Sequence, residues 1–277
     1  MIFDAFPEAF FPIAPENSKE YCNRIEIGES NAKKSSVIIC GLVRNAESIF
    51  PYLRSRLEKI GSFFSDYQVY LYENDSTDST KQLLWKWSKA NDRIVFCGEK
   101  LNKIRHQQDY SLSRREDMAM YRNRYIDAIK NRETDYVIVL DTDIEGGYSY
   151  EGILHSLSFD LDVIASNSII CRYRNNVFES LYYDAWAFRA LNHPEKHDDE
   201  EINKLDIKKG TGLFEVFSAF GGLAIYKAKA LTSGKYRYTN EDCDHTTLHE
   251  KLRKAGYKIY VNPSLITLYS PTLYTQL

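Results

Sequence analysis

"DYVIVLDTDIEGG", residues 135 to 147, sets four apolar residues in a row, Val137 to Leu140, directly before two carboxylates, Asp141 and Asp143, with only Thr142 between them. An unbroken apolar run of this length, rich in β-branched residues, reads as a strand buried on both faces, as in a parallel sheet covered by helices. Side chains two apart on an extended segment share a face, about 6 to 7 Å from each other. The two charges would then point the same way and raise each other's pKa until one took up a proton. A hard divalent cation, Mn²⁺ or Mg²⁺, ligated by carboxylate and phosphate oxygens, removes that conflict. The alternative is a pair of turn residues capping the next helix. The position of the pair at a strand exit, with an earlier acidic exit at Glu73 and Asp75, favours the cation.

Working outward, strand-length apolar runs alternate with segments of helical period, which marks a mostly parallel sheet covered by helices. "SVIICGLV" (36–43) is the first strand, and Ile49, Leu53, Leu57 and Ile60 give an amphipathic helix over 46–60, with Pro51 tolerable only in its first turn. "YQVYLYE" (67–73) and "RIVFC" (93–97) are the next strands. Ser79 with Gln82, and Ser113 with Glu116, predict capping boxes for the helices that follow. The second of these helices carries the stripe Met118, Tyr121, Tyr125 and Ile129 before "YVIVL" (136–140). Later, "DVIASN" (162–167), "FSAFGGLAIY" (217–226) and "YKIYVNP" (257–263) read as strands, residues 192–210 as a charged exposed loop, and 241–255 as a helix stopped by Gly256.

Bulk composition narrows the classes. Lys and Arg (36) nearly balance Asp and Glu (39), for a net charge of -3, so no global pull toward nucleic acid or an anionic membrane exists. Five cysteines without CxxC spacing fit a reduced, cytoplasmic chain. No stretch approaches the roughly 20 apolar residues of a membrane span. The aromatic opening, broken by Asp4, Pro7, Glu8 and Pro12, reads as an extension over 1–34 packed on the main body rather than a signal peptide. No GxGxxG follows the first strand and no GxxxxGK[ST] occurs, so a dinucleotide site or a P-loop finds no support.

Ligands of open parallel sheets bind outside the carboxyl ends of the strands. Arg44 at the first exit, and Arg115, Arg122 and Asn123 on the helix before the acidic strand, could meet phosphate charge. Glu241, His245 and His249 fall at i, i+4 and i+8 on one helical face, so His245, with His249 behind it, could complete a metal shell.

Six pieces in order, "VRNAESIFPYL", "YENDSTDSTKQLL", "MAMYRNRYIDAI", "YVIVLDTDI", "FGGLAIYKAKAL" and "CDHTTLHEKLRKAGYKIYVNPSL", resemble the GT-A fold nucleotide-sugar glycosyltransferases. The resemblance spans roughly residues 36 to 268 and is best to the fungal capsule-associated α-1,3-mannosyltransferase type and its bacterial and viral relatives. It implies one α/β domain over 35–277, with a mostly parallel central sheet and helices on both faces. A nucleotide-binding half would cover about 36–145 and an irregular acceptor half 146–277.

The resemblance also implies roles. Arg44, Asn45, Glu73 and Asp75 would line the base and ribose pocket, Arg122 would lie near the nucleotide, and Asp141 would meet the ribose or metal. Asp143 would meet the metal and diphosphate. Gly221 and Gly222 would let the backbone approach the transferred sugar, and Asp184, Trp186 and Arg189 would lie on the acceptor side. A general base, where one is needed, would be Asp242 or Asp244. The expected activity is metal-dependent transfer of a sugar from a GDP- or UDP-sugar to a saccharide acceptor in glycan or surface polysaccharide synthesis. The rival readings are a nucleotidyltransferase and a non-catalytic carbohydrate-binding protein. Neither oligomeric state nor stereochemical outcome is readable at this level.

Overall fold

Ser36–Val43 (β1) is buried on both sides, and the alternating direction of its side chains fixes both layers of the molecule. Val37 and Ile39 face one side of the sheet, with Leu53, Leu57 and Ile60 of Phe50–Gly61 (α3) and Leu84 and Trp87 of Thr80–Ala90 (α4). Ile38 and Cys40 face the other, with Tyr125, Ile126 and Ile129 of Leu112–Ile129 (α5) and Leu248 and Leu252 of Asp244–Lys254 (α9). The period of two is the physical cause: successive side chains leave opposite faces of a strand. The computed structural model describes residues 7–104, 106, 111–174, 177–195, 197–239 and 242–269.

Parallel to β1 lie Asp66–Asn74 (β2) and Tyr136–Asp141 (β4), and Ile94–Glu99 (β3) extends the sheet beyond β2. The remaining strands are Val163–Arg174 (β5), Val177–Tyr182 (β6), Arg189–Ala190 (β7), Phe214–Ser218 (β8), Leu223–Lys227 (β9) and Ile259–Leu268 (β10). Together they form one sheet in the order β3-β2-β1-β4-β9-β5-β10-β8-β7, with β6 on β5. Strands β9, β8 and β6 run against the rest. The result is a mixed α/β domain with a mostly parallel central sheet.

Three local expectations are corrected. Ser79 stands at the N-cap of α4 but makes no side-chain cap bond; Asp78 accepts from the Thr80 N–H instead, at 3.0 Å. The cap of α5 is Ser111, two residues earlier than Ser113, and its hydroxyl accepts from the Arg114 N–H at 3.3 Å. Residues 217–226 are not one strand: Gly221 and Gly222 take φ of 67° and 78° and break the run. The first part ends β8, which pairs with β10 through residues 214–216 and with β7 at Ser218, while the second threads between β4 and β5. Within the charged loop, Asp199–Asn203 forms a short helix (α7) capped by Asp198.

The N-terminal segment carries Pro7–Phe10 (α1) and Ser18–Ala32 (α2), and α2 crosses Tyr150–Leu157 (α6) closely. Tyr21 donates to Glu151 at 2.9 Å, Asn31 donates to the Leu157 carbonyl at 2.9 Å, and Glu8 accepts from the Glu151 N–H at 3.0 Å at the start of α6. A last short helix, Ala228–Thr232 (α8), follows β9 directly. Among the described residues no helix is long and apolar enough to cross a membrane, and all five cysteines are free thiols.

Candidate active site

Two cavities open where β1 to β4 end. The first, about 270 Å³, is walled by Asp141 at the tip of β4, Arg122 on α5, Asp244 and His245 at the start of α9, Gly222 before β9, and Asp184 and Trp186 from the 183–188 segment. The second, about 470 Å³, is walled by Arg44, Glu73, Asp75, Lys81 and Lys103 at the exits of β1, β2 and β3.

Arg122 organises the first cavity. It is buried, its Nε lies 2.6 Å from Asp244 Oδ2, and its Nη2 lies 3.3 Å from Asp141 Oδ1. The guanidinium also lies over the rings of Phe220 (5.3 Å) and Tyr236 (5.9 Å). Burial disfavours its charge, but Asp244 and, beyond it, Asp141 outweigh that and hold Arg122 firmly protonated. Burial raises the Asp244 carboxyl, against the pull of Arg122. A cation so placed tolerates two carboxylates in a desolvated pocket, which neither could do alone.

Thr142 explains how the acidic pair is presented. Its hydroxyl donates to the Leu42 carbonyl on β1 at 2.6 Å, while Asp141 receives backbone support from Gly222, whose carbonyl accepts the Asp141 N–H at 2.9 Å. Asp141 therefore faces the cavity, whereas Asp143, in the turn after β4, is exposed and is not among the residues that wall it. Both charges reach the stacked pair Tyr183 and Tyr269, rings 3.6 Å apart, and raise their pKa after burial has done so.

Partly buried Asp184 accepts from the Gly221 N–H at 2.7 Å and, more weakly, the Ala187 N–H at 3.4 Å. Burial and the Asp141 charge lift its carboxyl to about 6, against those amides and Arg122. Trp186 lies under the guanidinium groups of Arg114 (5.3 Å) and Arg115 (5.6 Å). A Cβ on Gly221 would stand 2.5 Å from the Ser166 carbonyl, and one on Gly222 2.6 Å from Ile144. Gly221 therefore requires glycine for space as well as for φ, because its obstacle is backbone, while Gly222 requires it for φ, the Ile144 tip being able to shift.

Other nominated residues sit elsewhere. Arg189 is fully buried beneath the 186–188 backbone, donating to the carbonyls of Trp186 (3.0 Å) and Phe188 (2.7 Å) and pairing with Asp242 at 2.8 Å. It ties two loops together and does not line the cavity, and Asp242 is drawn away with it. Of the two carboxylates left open by sequence, Asp244 is the one on the cavity wall. Glu241 lies outside the described residues.

In the second cavity Asp75, with φ 52°, accepts the N–H groups of Leu101 (2.8 Å), Asn102 (2.9 Å) and Lys103 (3.0 Å). Burial works against its charge, but these bonds, with Asn74, lower its pKa. Arg44 donates to the Lys103 carbonyl at 2.8 Å, and Asn45 accepts from the Thr77 N–H at 2.8 Å. Much of this nominated set thus builds the loop wall itself. Glu73 is buried with Oε1 accepting from the Ser76 N–H at 2.8 Å, while its Oε2 has no hydrogen-bond partner.

The fit of a divalent cation can be tested on these side chains. Asp141 on the cavity wall and the exposed Asp143 two residues on each offer hard oxygen ligands. His245 is buried against Phe220, ring centroids 3.7 Å apart, with neither ring nitrogen hydrogen-bonded, and burial keeps it neutral as a ligand must be. His249 is different: its nitrogens meet Ser218 Oγ and the Tyr226 hydroxyl, each at 2.9 Å. That leaves it no nitrogen for a metal. Among the described residues no three His, Cys, Asp or Glu side chains form a complete shell, so a cation here would need ligand oxygens as well.

Sequence reasoning missed Arg114, Met118, Tyr183, Phe220, Cys243 and Tyr269 on the first cavity wall. Tyr183 stood beside a nominated residue; Tyr269, arriving from the end of β10, carried no local signal.

With the geometry established, the chain can be set beside known proteins. Its fold is that of the mannosyltransferase PcManGT from Pyrobaculum calidifontis, a structure in complex with GDP-Man and Mn²⁺, at a TM-score of 0.50 and 12% identity, covering 93% of this chain and 68% of that one. Weaker likenesses are to GalNAc-T7 with UDP, GalNAc and Mn²⁺ (TM-score 0.49, 10% identity, 94% of this chain and 53% of that) and to S. aureus TarS residues 1–349 (0.48, 15%, 84% and 60%). The architecture is therefore that of the GT-A glycosyltransferases. Residues 36–252 match the family described as Cryptococcal mannosyltransferase 1, and the chain belongs to that glycosyltransferase family. No curated protein matches the chain.

Proposed function

We propose that this chain moves a hexose, mannose being the first candidate, from a GDP- or UDP-sugar to a hydroxyl of a saccharide acceptor in glycan or surface polysaccharide synthesis. The observation that supports this most is the meeting of Asp141, the Arg122–Asp244 pair and the cavity-facing Gly222 at one strand exit. A Mn²⁺ or Mg²⁺ ion held by Asp143 and Asp141 would supply positive charge to a departing diphosphate.

The chain's own groups account for the rest. Arg122 adds fixed positive charge in a desolvated cavity, where it is strongest. The bare backbone at Gly222 leaves room for a pyranose. Asp184 and Trp186 would face the acceptor, a carboxylate for its hydroxyls and an indole for its apolar face. If the product is inverted, Asp244 would take the acceptor proton; if configuration is retained, no such base is required. Base and ribose would lie toward Arg44, Asn45, Glu73 and Asp75. Five free thiols support a cytoplasmic, reducing location.

Incubation with Mn²⁺ and a panel of GDP- and UDP-sugars should raise the melting temperature with at least one donor and release free sugar slowly. Silence toward every donor, with and without metal, would overturn the proposal. In Asp143→Ala the metal-dependent donor shift should vanish while the unliganded melting temperature moves little, because an exposed surface substitution costs within about 0.5 kcal/mol. Unchanged donor affinity in that variant would remove the metal assignment.

A further inference from the structure

Helix α3 carries one residue that its apolar stripe does not account for. Leu53, Leu57 and Ile60 face the sheet, and Arg56 stands among them at helical spacing, only 3% exposed. An arginine on the solvent face would cost little, whereas a buried guanidinium is costly unless its donors find acceptors. Arg56 spends them on main chain: Nη1 donates to the Ile144 carbonyl at 2.6 Å and Nη2 to the Glu145 carbonyl at 2.9 Å. These are the first two residues after Asp143. The Tyr148 ring lies beside the guanidinium, 6.0 Å to its centroid, and the buried Tyr148 hydroxyl donates to the Asp141 carbonyl.

The acidic turn is thus gripped before and after Thr142 and Asp143. Tyr148 holds the carbonyl of Asp141, Thr142 reaches the Leu42 carbonyl at 2.6 Å, and Arg56 holds the two carbonyls that follow. Further on, the chain is stitched to β10, the Gly146 N–H donating to the Leu268 carbonyl at 2.9 Å and the Ser149 N–H to the Ile266 carbonyl at 2.8 Å. Asp143 itself is exposed, so burial of its own side chain does not fix where its carboxylate stands. That direction follows from the main chain on either side. An apolar side chain at position 56 would complete the stripe of α3 and leave the buried Ile144 carbonyl without this donor, a cost that a fork of two N–H groups from one guanidinium removes.

We infer that Arg56 and Tyr148 are positioning residues for the acidic turn, holding the main chain on both sides of Thr142 and Asp143 so that Asp141 and Asp143 are presented in one fixed arrangement. Neither side chain lines the first cavity. The consequence for a divalent cation rests on the metal reading of the proposed function, whereas the holding of the turn does not.

Tyr148→Phe removes one hydroxyl and keeps the ring, Arg56→Met keeps an unbranched side chain without donors, and Arg56→Lys offers a single ammonium in place of the fork. In metal-free ¹⁵N-labelled protein the Asp143 amide should show an order parameter of about 0.85 in the wild type, falling below about 0.6 in Tyr148→Phe and Arg56→Met, with Arg56→Lys between them. Calorimetric titration of Mn²⁺ in the presence of GDP or UDP should show affinity about tenfold to a hundredfold weaker in the first two variants, the usual effect of losing a group that orients a metal ligand. Leu84→Ala, a fully buried truncation on α4, should melt earlier yet leave both readouts as in the wild type. An Asp143 amide as rigid in Tyr148→Phe as in the wild type overturns the inference, and so does a loosened turn that binds Mn²⁺ as tightly as before. Equal losses in Leu84→Ala would assign the effect to stability and overturn it too. Should Arg56→Met not fold, Tyr148→Phe decides alone. If the wild type itself takes up no Mn²⁺, the metal part of the proposed function falls, while the order parameters still decide whether the turn is held.

Discussion

At Asp184 a single carboxyl sits where burial and the nearby Asp141 work against its ionisation, lifting it to about 6 from an ordinary 3.8. The unfolded chain ionises this group from pH 3.8 upward, the native protein only near 6, so between those values the native state holds more protons. Stability contributed by the neutral form is therefore lost as pH rises through that window, and the deficit persists above it. Asp184→Asn, which still offers Gly221 an acceptor oxygen, should melt several degrees above the wild type at pH 7.5 in metal-free buffer. That corresponds to a gain on the order of 2 kcal/mol. The difference should close toward pH 4. Paired melts at the two pH values check this, and an equal difference at both would show that Asp184 is not the strained group. The acidic pair itself was legible in the sequence because Asp141 and Asp143 follow a run that can only be a buried strand. Arg189 was not, since nothing local distinguishes an arginine facing a ligand from one folded back onto its own carbonyls.

At the scale of elements, α2 and α6 meet at Gly28. A Cβ there would lie 1.7 Å from the Leu154 carbonyl oxygen, inside any possible contact, and the obstruction is backbone. Gly28→Ala should therefore push the helices apart and cost about 3 kcal/mol or more, beyond ordinary overpacking. Urea unfolding checks it, and a loss under 1 kcal/mol would mean that α2 shifts freely. Strand and helix alternation in the first half could be read because each element carries its own period. The division of residues 217–226 into β8 and β9 was signalled only by Gly221 and Gly222, and which strands each part joins could not be read at all, because the pairing partners lie far away in the chain. The helix caps were misplaced for a related reason. Serines abound before both helices, and the side chain that reaches the free N–H depends on the incoming loop.

For the whole molecule, buried neutral histidines set the response to acid. His155, lowered to about 4 by burial and then Arg24, and His249, lowered to about 3, stay unprotonated in the native state while the unfolded chain takes up protons below 6.5. Stability from these groups is present above pH 6.5 and is lost as pH falls toward 4. Melting temperature should decline as pH is lowered from 7 to 5, and more steeply in Asp184→Asn, where the opposing group is absent. A temperature flat or rising over that range would contradict the assignment.

The amino-acid sequence alone determined the layered α/β plan, the strand exits at which the two cavities open and the acidic pair at the fourth exit, because periodicity and strand polarity are local properties written residue by residue. Only the tertiary structure decided that Asp244 and not Asp242 stands on the cavity wall, that His249 serves the core while His245 keeps its nitrogens free of hydrogen bonds, and that Tyr269 joins that wall. Those outcomes depend on which side chains from distant segments reach each other first, a competition for partners that no single stretch of chain contains.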